Sequence, residues 1–130
     1  MNNNDILIIK EFKKNLISFF DELIDQFPSE GDLIIIRIYF KDQVNMKEIL
    51  ELFTHHLNKD NQSIKEKIKE RDESFFLDNS IFDCFGKSKI LHFKKIWRSP
   101  ILDRDDKLII WKWIDSFVFL SDKYAKNKQI

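Results

Sequence analysis

Hydrophobic residues recur at three- and four-residue steps along most of the chain, which is the periodicity of an amphipathic helix. Pro28 cannot continue a helix, so the first helical stretch is expected to end near Phe27. A second stretch follows the capping residue Asn45, and a third extends from Ser88 to Trp97. The first stretch turns these residues inward: Ile9, Phe12, Leu16, Phe19, Phe20, Leu23 and Phe27. The pattern predicts an all-α fold.

Three segments between these helices give weaker signals. Leu33–Phe40 is a continuous apolar run that suits either a buried helix or a buried strand. Helix is favoured because no second run of this kind is present, and an isolated strand would leave its backbone hydrogen-bonding groups unpaired. Ser63–Glu73 alternates Lys and Glu around two isoleucines, which predicts an exposed helix. Phe75–Phe82 predicts a buried irregular connection or short helical turns.

The C-terminal stretch, about 104–124, is apolar on nearly every side of a helix. A helix of that kind must be covered on nearly every side. It can be the central helix of a bundle, or one of its faces can be an oligomer interface. We expect both to contribute, with a two-fold homodimer as the oligomer. The candidate interface residues are Trp111, Trp113, Phe117, Phe119 and Leu120.

Length and composition narrow the architecture. A chain of 130 residues has room for one domain, 1–130, which we expect to be a compact bundle of about five helices. The first helix should pack on the Met46–Leu57 helix, and both should rest on the aromatic C-terminal helix. Residues 1–4 and 125–130 carry no anchoring side chains and are expected to fray. Two Gly and two Pro are too few for the turns of an all-β fold.

The charge balance and the cysteine content indicate which partners and which cellular compartment to expect. The 22 basic and 22 acidic residues balance, so no global field attracts nucleic acid or an anionic membrane. The single Cys84 cannot form an intramolecular disulfide, which favours a reducing compartment. No run reaches the ~18 apolar residues that would indicate a membrane span, and the N-terminus lacks the features of a signal peptide. We therefore expect no membrane partner.

One local basic segment could bind nucleic acid. Residues 86–98 contain no acid, and Phe93 and Trp97 alternate with the cations. Such a helix could contact phosphates and stack a base. The competing interpretation is that Phe93 and Trp97 belong to the core and that the cations form a solvated helix face. The candidate nucleic-acid-binding residues of this alternative are Lys87, Lys89, Lys94, Lys95 and Arg98.

No motif predicts a reaction, a metal or a cofactor. His55 and His56 are adjacent, so on a helix they point about 100° apart and cannot easily share one ion. Cys84 lies between Asp83 and Phe85, a setting that raises the pKa of a thiol. Asp105 and similar acidic residues lie where helix starts place carboxylates. We expect no catalytic residues, no metal ligands and no cofactor.

Two blocks of the sequence resemble a known group of proteins. They are 71–77, Arg-Asp-Glu-Ser-Phe-Phe-Leu, and the aromatic pair 92–97 and 105–113. These blocks are similar to those of short proteins from giant, mimivirus-like nucleocytoplasmic large DNA viruses, which combine an RDE-FF element with F-K-x-I-W and D-K-x-x-I-W-x-W. The resemblance implies a viral protein located in the virus factory in the host cytoplasm or in the virion, and it identifies no catalytic residues. From the sequence as a whole we expect a non-enzymatic protein with a structural or interaction role, whose partner is a second copy or another viral or host protein.

Overall fold

The computed structural model describes residues 2–59 and 63–128, and every regular element in these ranges is helical. The α-helices are α1 (Asn3–Gln26), α2 (Gly31–Ile38), α3 (Met46–Asn58), α4 (Ser63–Lys69), α5 (Glu73–Asp78), α6 (Lys87–Arg98) and α7 (Arg104–Lys128). A π-helical turn, Tyr39–Gln43, follows α2, and a 3₁₀ helix, Ile81–Phe85, precedes α6. The all-α prediction is confirmed. The expected five helices were too few, because 63–85 forms three short helical pieces.

Side-chain caps fix where several helices begin. Asn2, Asn45 and Asp72 each accept a hydrogen bond from the backbone N–H three residues further on, at 2.9, 3.2 and 2.9 Å. Asp103 and Asp106 cap α7 reciprocally: each carboxylate accepts the backbone N–H of the other, at 2.8 and 3.0 Å. These caps satisfy N–H groups that have no partner within the helix.

The ambiguous segment Leu33–Phe40 is helical, as favoured. It begins in α2 and passes into the π-helical turn at Tyr39, where the wider turn carries Phe40 into the core. The Phe40 ring lies 5.5 Å from the ring of Phe20 and 6.2 Å from that of Phe85. The turn thus joins α1, α2 and the 3₁₀ helix through aromatic contacts.

Helix α7 is the central element. It packs along α1, and α3 and α4 pack against its C-terminal half, so the predicted arrangement of the three long helices is confirmed. Phe12 and Phe117 connect α1 to α7 with their ring centroids 5.7 Å apart. At the other end, Trp97 is fully buried between Phe76 and Trp111, at 4.7 and 5.7 Å. Aromatic contacts therefore extend through the whole interior.

Polar contacts join the start of α1 to the end of α7, and the expected fraying of residues 1–4 and 125–130 remains a prediction. Asp5 is 3% exposed, accepts a hydrogen bond from Asn127 and lies 3.7 Å from Nζ of Lys128. Burial raises the pKa of Asp5, but the hydrogen bond from Asn127, the charge of Lys128 and a hydrogen bond from the backbone of Asn2 outweigh it, so the pKa is lowered overall. This buried carboxylate therefore links the start of α1 to the end of α7. Met1 and residues 129–130 lie outside the described residues.

Gly86 lies where two elements approach closely. Its φ of 112° is a conformation that residues with a Cβ rarely adopt. A Cβ built on Gly86 would lie 2.6 Å from the hydroxyl oxygen of Tyr39. Glycine is therefore required for α6 to start against the π-helical turn.

Candidate interaction surfaces

Only one of the five predicted interface residues presents most of its side chain to solvent. Trp111, Phe117 and Leu120 are buried within the subunit and leave no surface for a partner. Trp113 is half-buried, and its indole N–H donates to Oε2 of Glu22 at 2.9 Å. Phe119 is 61% exposed. The structure therefore reduces the predicted interface to Phe119 and its surroundings.

Phe119 lies on a groove between the N-terminal half of α1 and the C-terminal half of α7. The groove has a volume of about 560 Å³. On its α1 side Leu7 is 62% exposed, and Ile8 lies beside it, half-buried. The α1/α7 groove is lined by Leu7, Ile8, Glu11, Asn15, Ser116, Phe119, Leu120 and Lys123. Two large apolar side chains, one from each helix, are thus uncovered on one surface.

Polar groups surround this apolar pair. Asn15 Nδ2 donates to Oγ of Ser116 at 2.9 Å, which joins the two helices across the groove. The ammonium group of Lys123 lies 5.4 Å from the centre of the Phe119 ring, within the range of a cation–π contact. Glu11 supplies a carboxylate on the opposite side. Exposed apolar side chains with hydrogen-bonding and charged neighbours are the composition of a protein interface.

Leu7 was missed as a candidate in the sequence, although a signal was present. The run Ile6–Ile9 has four consecutive apolar residues, more than a single amphipathic stripe turns inward over one helical turn. In the structure Ile8 and Ile9 are half-buried, whereas Ile6 and Leu7 are exposed. Ile6 and Leu7 are therefore the apolar residues of this run that the buried face of α1 does not accommodate.

The predicted basic segment is divided between core and surface. Lys94 is 6% exposed, and its ammonium group donates to the backbone oxygen of Asn79 at 3.2 Å. Burial lowers the pKa of Lys94, while the neighbouring carboxylate of Asp83 acts in the opposite direction. Lys89 is half-buried with its ammonium group 5.2 Å from the ring of Tyr39. The Lys94 ammonium is therefore committed to the interior, and the Lys89 ammonium lies beside an aromatic ring.

The other three cations share one face of α6. Lys87, Lys95 and Arg98 are exposed, and Leu91, 51% exposed, lies among them at helical spacing. Within the described residues these three cations form no ion pair. We call Lys87, Leu91, Lys95 and Arg98 the α6 stripe. Phe93 and Trp97 are buried, so the aromatic residues of this helix belong to the core.

The side chains considered for chemistry have structural surroundings. Burial raises the pKa of the Cys84 thiol to about 12, and its Sγ donates to the backbone oxygen of Ile81 at 3.3 Å. Asp72 and Asp106 act as helix caps. His55 is exposed, whereas His56 is half-buried at the edge of a cleft. Residues 2–59 and 63–128 contain no group of three or more His, Cys, Asp or Glu placed to hold a metal ion.

Two further findings bear on partners and relatives. None of the described helices combines the length and the apolar content needed to cross a membrane. Comparison of the chain with protein-family profiles, with curated proteins and with solved structures gave no significant match.

Proposed function

We propose that this chain is a non-enzymatic interaction protein that self-associates as a two-fold homodimer through the α1/α7 groove. The observation that carries the proposal is the exposure of Leu7 and Phe119, 62% and 61%, on adjacent long helices. Large apolar side chains grouped on one surface indicate a contact with another protein.

A two-fold contact suits the charges of the groove. In a two-fold dimer both subunits contribute the same surface. A residue on one edge of the groove therefore contacts a residue from the opposite edge of the partner's groove. Glu11 and Lys123 both line the groove. In a two-fold dimer the Glu11 carboxylate of one subunit can approach the Lys123 ammonium of the other. Phe119 of each subunit can then pack against Leu7 of its partner.

The sequence resemblance supports a viral setting for this interaction. The blocks at 71–77 and 105–113 supply core residues here, including Phe76 and Trp111. They support a shared scaffold whose role is to hold a surface in place. The setting that we propose is a virus factory in the host cytoplasm or the virion.

Sedimentation equilibrium tests the proposal directly. The wild-type chain at tens of micromolar should have about twice its monomer mass of 15.8 kDa. A single species of monomer mass at that concentration would contradict the dimer. Paramagnetic labels attached near Leu7 and near Leu52, an exposed leucine on α3, would then locate the contact. Only the label near Leu7 should report a second copy.

The α6 stripe supports a second candidate function, nucleic-acid binding. Three exposed cations along one helix can each replace a counterion on a phosphate backbone. Fluorescence anisotropy with labelled DNA and RNA should show binding that weakens with salt, with a log–log slope of about three if all three cations act. The triple variant Lys87→Gln, Lys95→Gln and Arg98→Gln should abolish it. Absence of binding at low salt would exclude this role.

A matched control exists for this experiment. Lys10, Lys14 and Lys126 are also exposed and lie on other helices. Changing these three to Gln alters the net charge equally and leaves the α6 stripe intact. If both triple variants lose binding to the same extent, net charge is responsible and the assignment to α6 is wrong.

A further inference from the structure

A cleft on the other side of the molecule, between α3, α4 and the start of the 3₁₀ helix, combines cations, hydroxyl groups and an apolar floor. Its volume is about 350 Å³, at the small end of the range for ligand sites. We call it the α3/α4 cleft. Its lining residues are His56, Lys59, Ser63, Ile64, Lys67, Phe75, Asn79, Ser80 and Ile81. It shares no residue with the α1/α7 groove or the α6 stripe.

Among the described lining residues the charged groups are two lysines, and His56 adds an imidazole ring. His56 and Lys59 come from the last turn of α3 and the residue after it, and Lys67 comes from α4. The segments 75 and 79–81 contribute no charged side chain to the cleft. The nearest described carboxylate to Lys67 is that of Asp72, 3.6 Å away, and its other oxygen caps α5. Two ammonium groups and an imidazole ring on the lining of one cleft favour an anion.

The uncharged residues add selectivity. The hydroxyl groups of Ser63 and Ser80 can each donate a hydrogen bond to an anion oxygen. Ile64 and Ile81 are buried, and Phe75 is half-buried and lines the cleft. An apolar floor with an aromatic ring suits the organic portion of a ligand and gives a free inorganic ion no added contact.

From this arrangement we propose that the α3/α4 cleft binds a small phosphate monoester, with the phosphate held by His56, Lys59 and Lys67 and the organic portion placed against Phe75. The cations and hydroxyls match a dianion with three oxygens. The apolar floor and the size of the cleft match an attached ring system.

The protonation of His56 gives an independent readout. Burial, with the positive charges of Lys59 and His55, lowers the pKa of His56 below its usual value. A dianion beside the ring stabilises its protonated form. Binding should therefore shift the titration of the His56 ring, which lines the cleft, to higher pH.

Adenosine monophosphate, adenosine and inorganic phosphate are suitable probes for NMR titration of the full chain. The monophosphate should bind at millimolar concentration or below, adenosine should bind about tenfold more weakly, and inorganic phosphate should compete with the monophosphate. Equal binding of adenosine and its monophosphate would overturn the phosphate assignment. No shift with the monophosphate at millimolar concentration would overturn the site.

Variants locate the contact. Lys59→Gln and Lys67→Gln should each weaken binding of the monophosphate about tenfold, as expected for loss of one charge-assisted hydrogen bond. Lys69→Gln is the matched control, because Lys69 is an exposed lysine of the same helix that does not line the cleft. All three variants should keep the wild-type melting temperature. Equal losses in the control and in the cleft variants would show that the binding is not at this site.

Discussion

The substitution Phe119→Asp separates an interface role from a core role on helix α7. Phe119 is 61% exposed. A phenylalanine presents roughly 200 Å² when free, so about 120 Å² of each copy is open to a partner. At about 25 cal/mol per Å², complete covering would contribute about 3 kcal/mol per copy, and a two-fold contact contains two copies. If only half of this area is covered, the substitution still costs about 3 kcal/mol per dimer, or a factor of about 10² in the dissociation constant.

The same substitution should leave the fold almost unchanged. Phe119 is neither part of the hydrophobic core nor packed against it, and an exposed substitution changes stability by about 0.5 kcal/mol or slightly more once the lower helix propensity of Asp is included. Leu52→Asp is the matched control, because Leu52 is 48% exposed near the middle of α3. Urea denaturation at a concentration low enough for both variants to be monomers should give similar free energies of unfolding.

Sedimentation velocity over a concentration series then decides the question. Phe119→Asp should sediment as a monomer at concentrations where the wild type and Leu52→Asp are dimers. A dimer that persists in Phe119→Asp, or dissociates equally in both variants, would refute the α1/α7 interface. Trp113→Asp cannot serve this purpose. Trp113 packs on Phe19 at 5.7 Å and bonds to Glu22, so its replacement disrupts the core as well.

Three predictions concern the interior. Gly86→Ala should lower the free energy of unfolding in urea by about 2–4 kcal/mol, because of backbone strain and the clash with Tyr39. Adding Tyr39→Leu should recover only the part that is due to the clash. Full recovery would show that the φ of 112° carries no strain. Trp97 is fully buried, and its indole N–H donates to Oε1 of Glu73 at 3.1 Å. Trp97→Ala should lower the free energy of unfolding by about 3–5 kcal/mol, and Trp97→Phe should lower it less because the Phe ring still fills part of the space. Equal losses in the two variants would mean that the hydrogen bond contributes more than the packing. With its pKa raised to about 12, Cys84 should react with a thiol-specific disulfide reagent at pH 8 about 10³-fold more slowly in the folded chain than in urea. Similar rates would place the thiol in water.

The long helices and their order could be predicted from the sequence because their signals are local. Asn45 and Asp103 precede apolar periodicity by the distance that a cap requires, and both act as caps in the structure. The short pieces between 63 and 85 could not be predicted in detail. Ile64 and Ile68 are buried in α4, although the charged residues around them indicate an exposed helix. Their burial depends on contacts with α3 and α7, which no local pattern encodes.

Lys94 illustrates the same limit for the candidate sites. Its sequence neighbourhood is that of a solvated lysine, and it lies next to Phe93 at the edge of the buried face of α6. The backbone oxygen of Asn79, fifteen positions away, accepts its ammonium group and makes burial tolerable. A partner of this kind is set by the tertiary fold alone. Lys89 is half-buried beside the ring of Tyr39, so three of the five predicted cations remain exposed.

The apolar circumference of α7 has a geometric explanation that accounts for both the buried and the exposed residues. A helix of 25 residues is about 37 Å long, whereas α3, with 13 residues, spans about 20 Å. Only α1, with 24 residues, matches the length of α7, so the remaining neighbours cover α7 in sections. Phe119 and Leu108, three helical turns apart and 61% and 43% exposed, lie on the outward side that these sections do not reach. Within residues 2–59 and 63–128 no further long helix lies there, and a second copy of this chain is the cover that we propose. Most of the apolar side chains of α7 are thus buried in the subunit core. The apolar side chains exposed on its outward side form the surface that we propose for the partner.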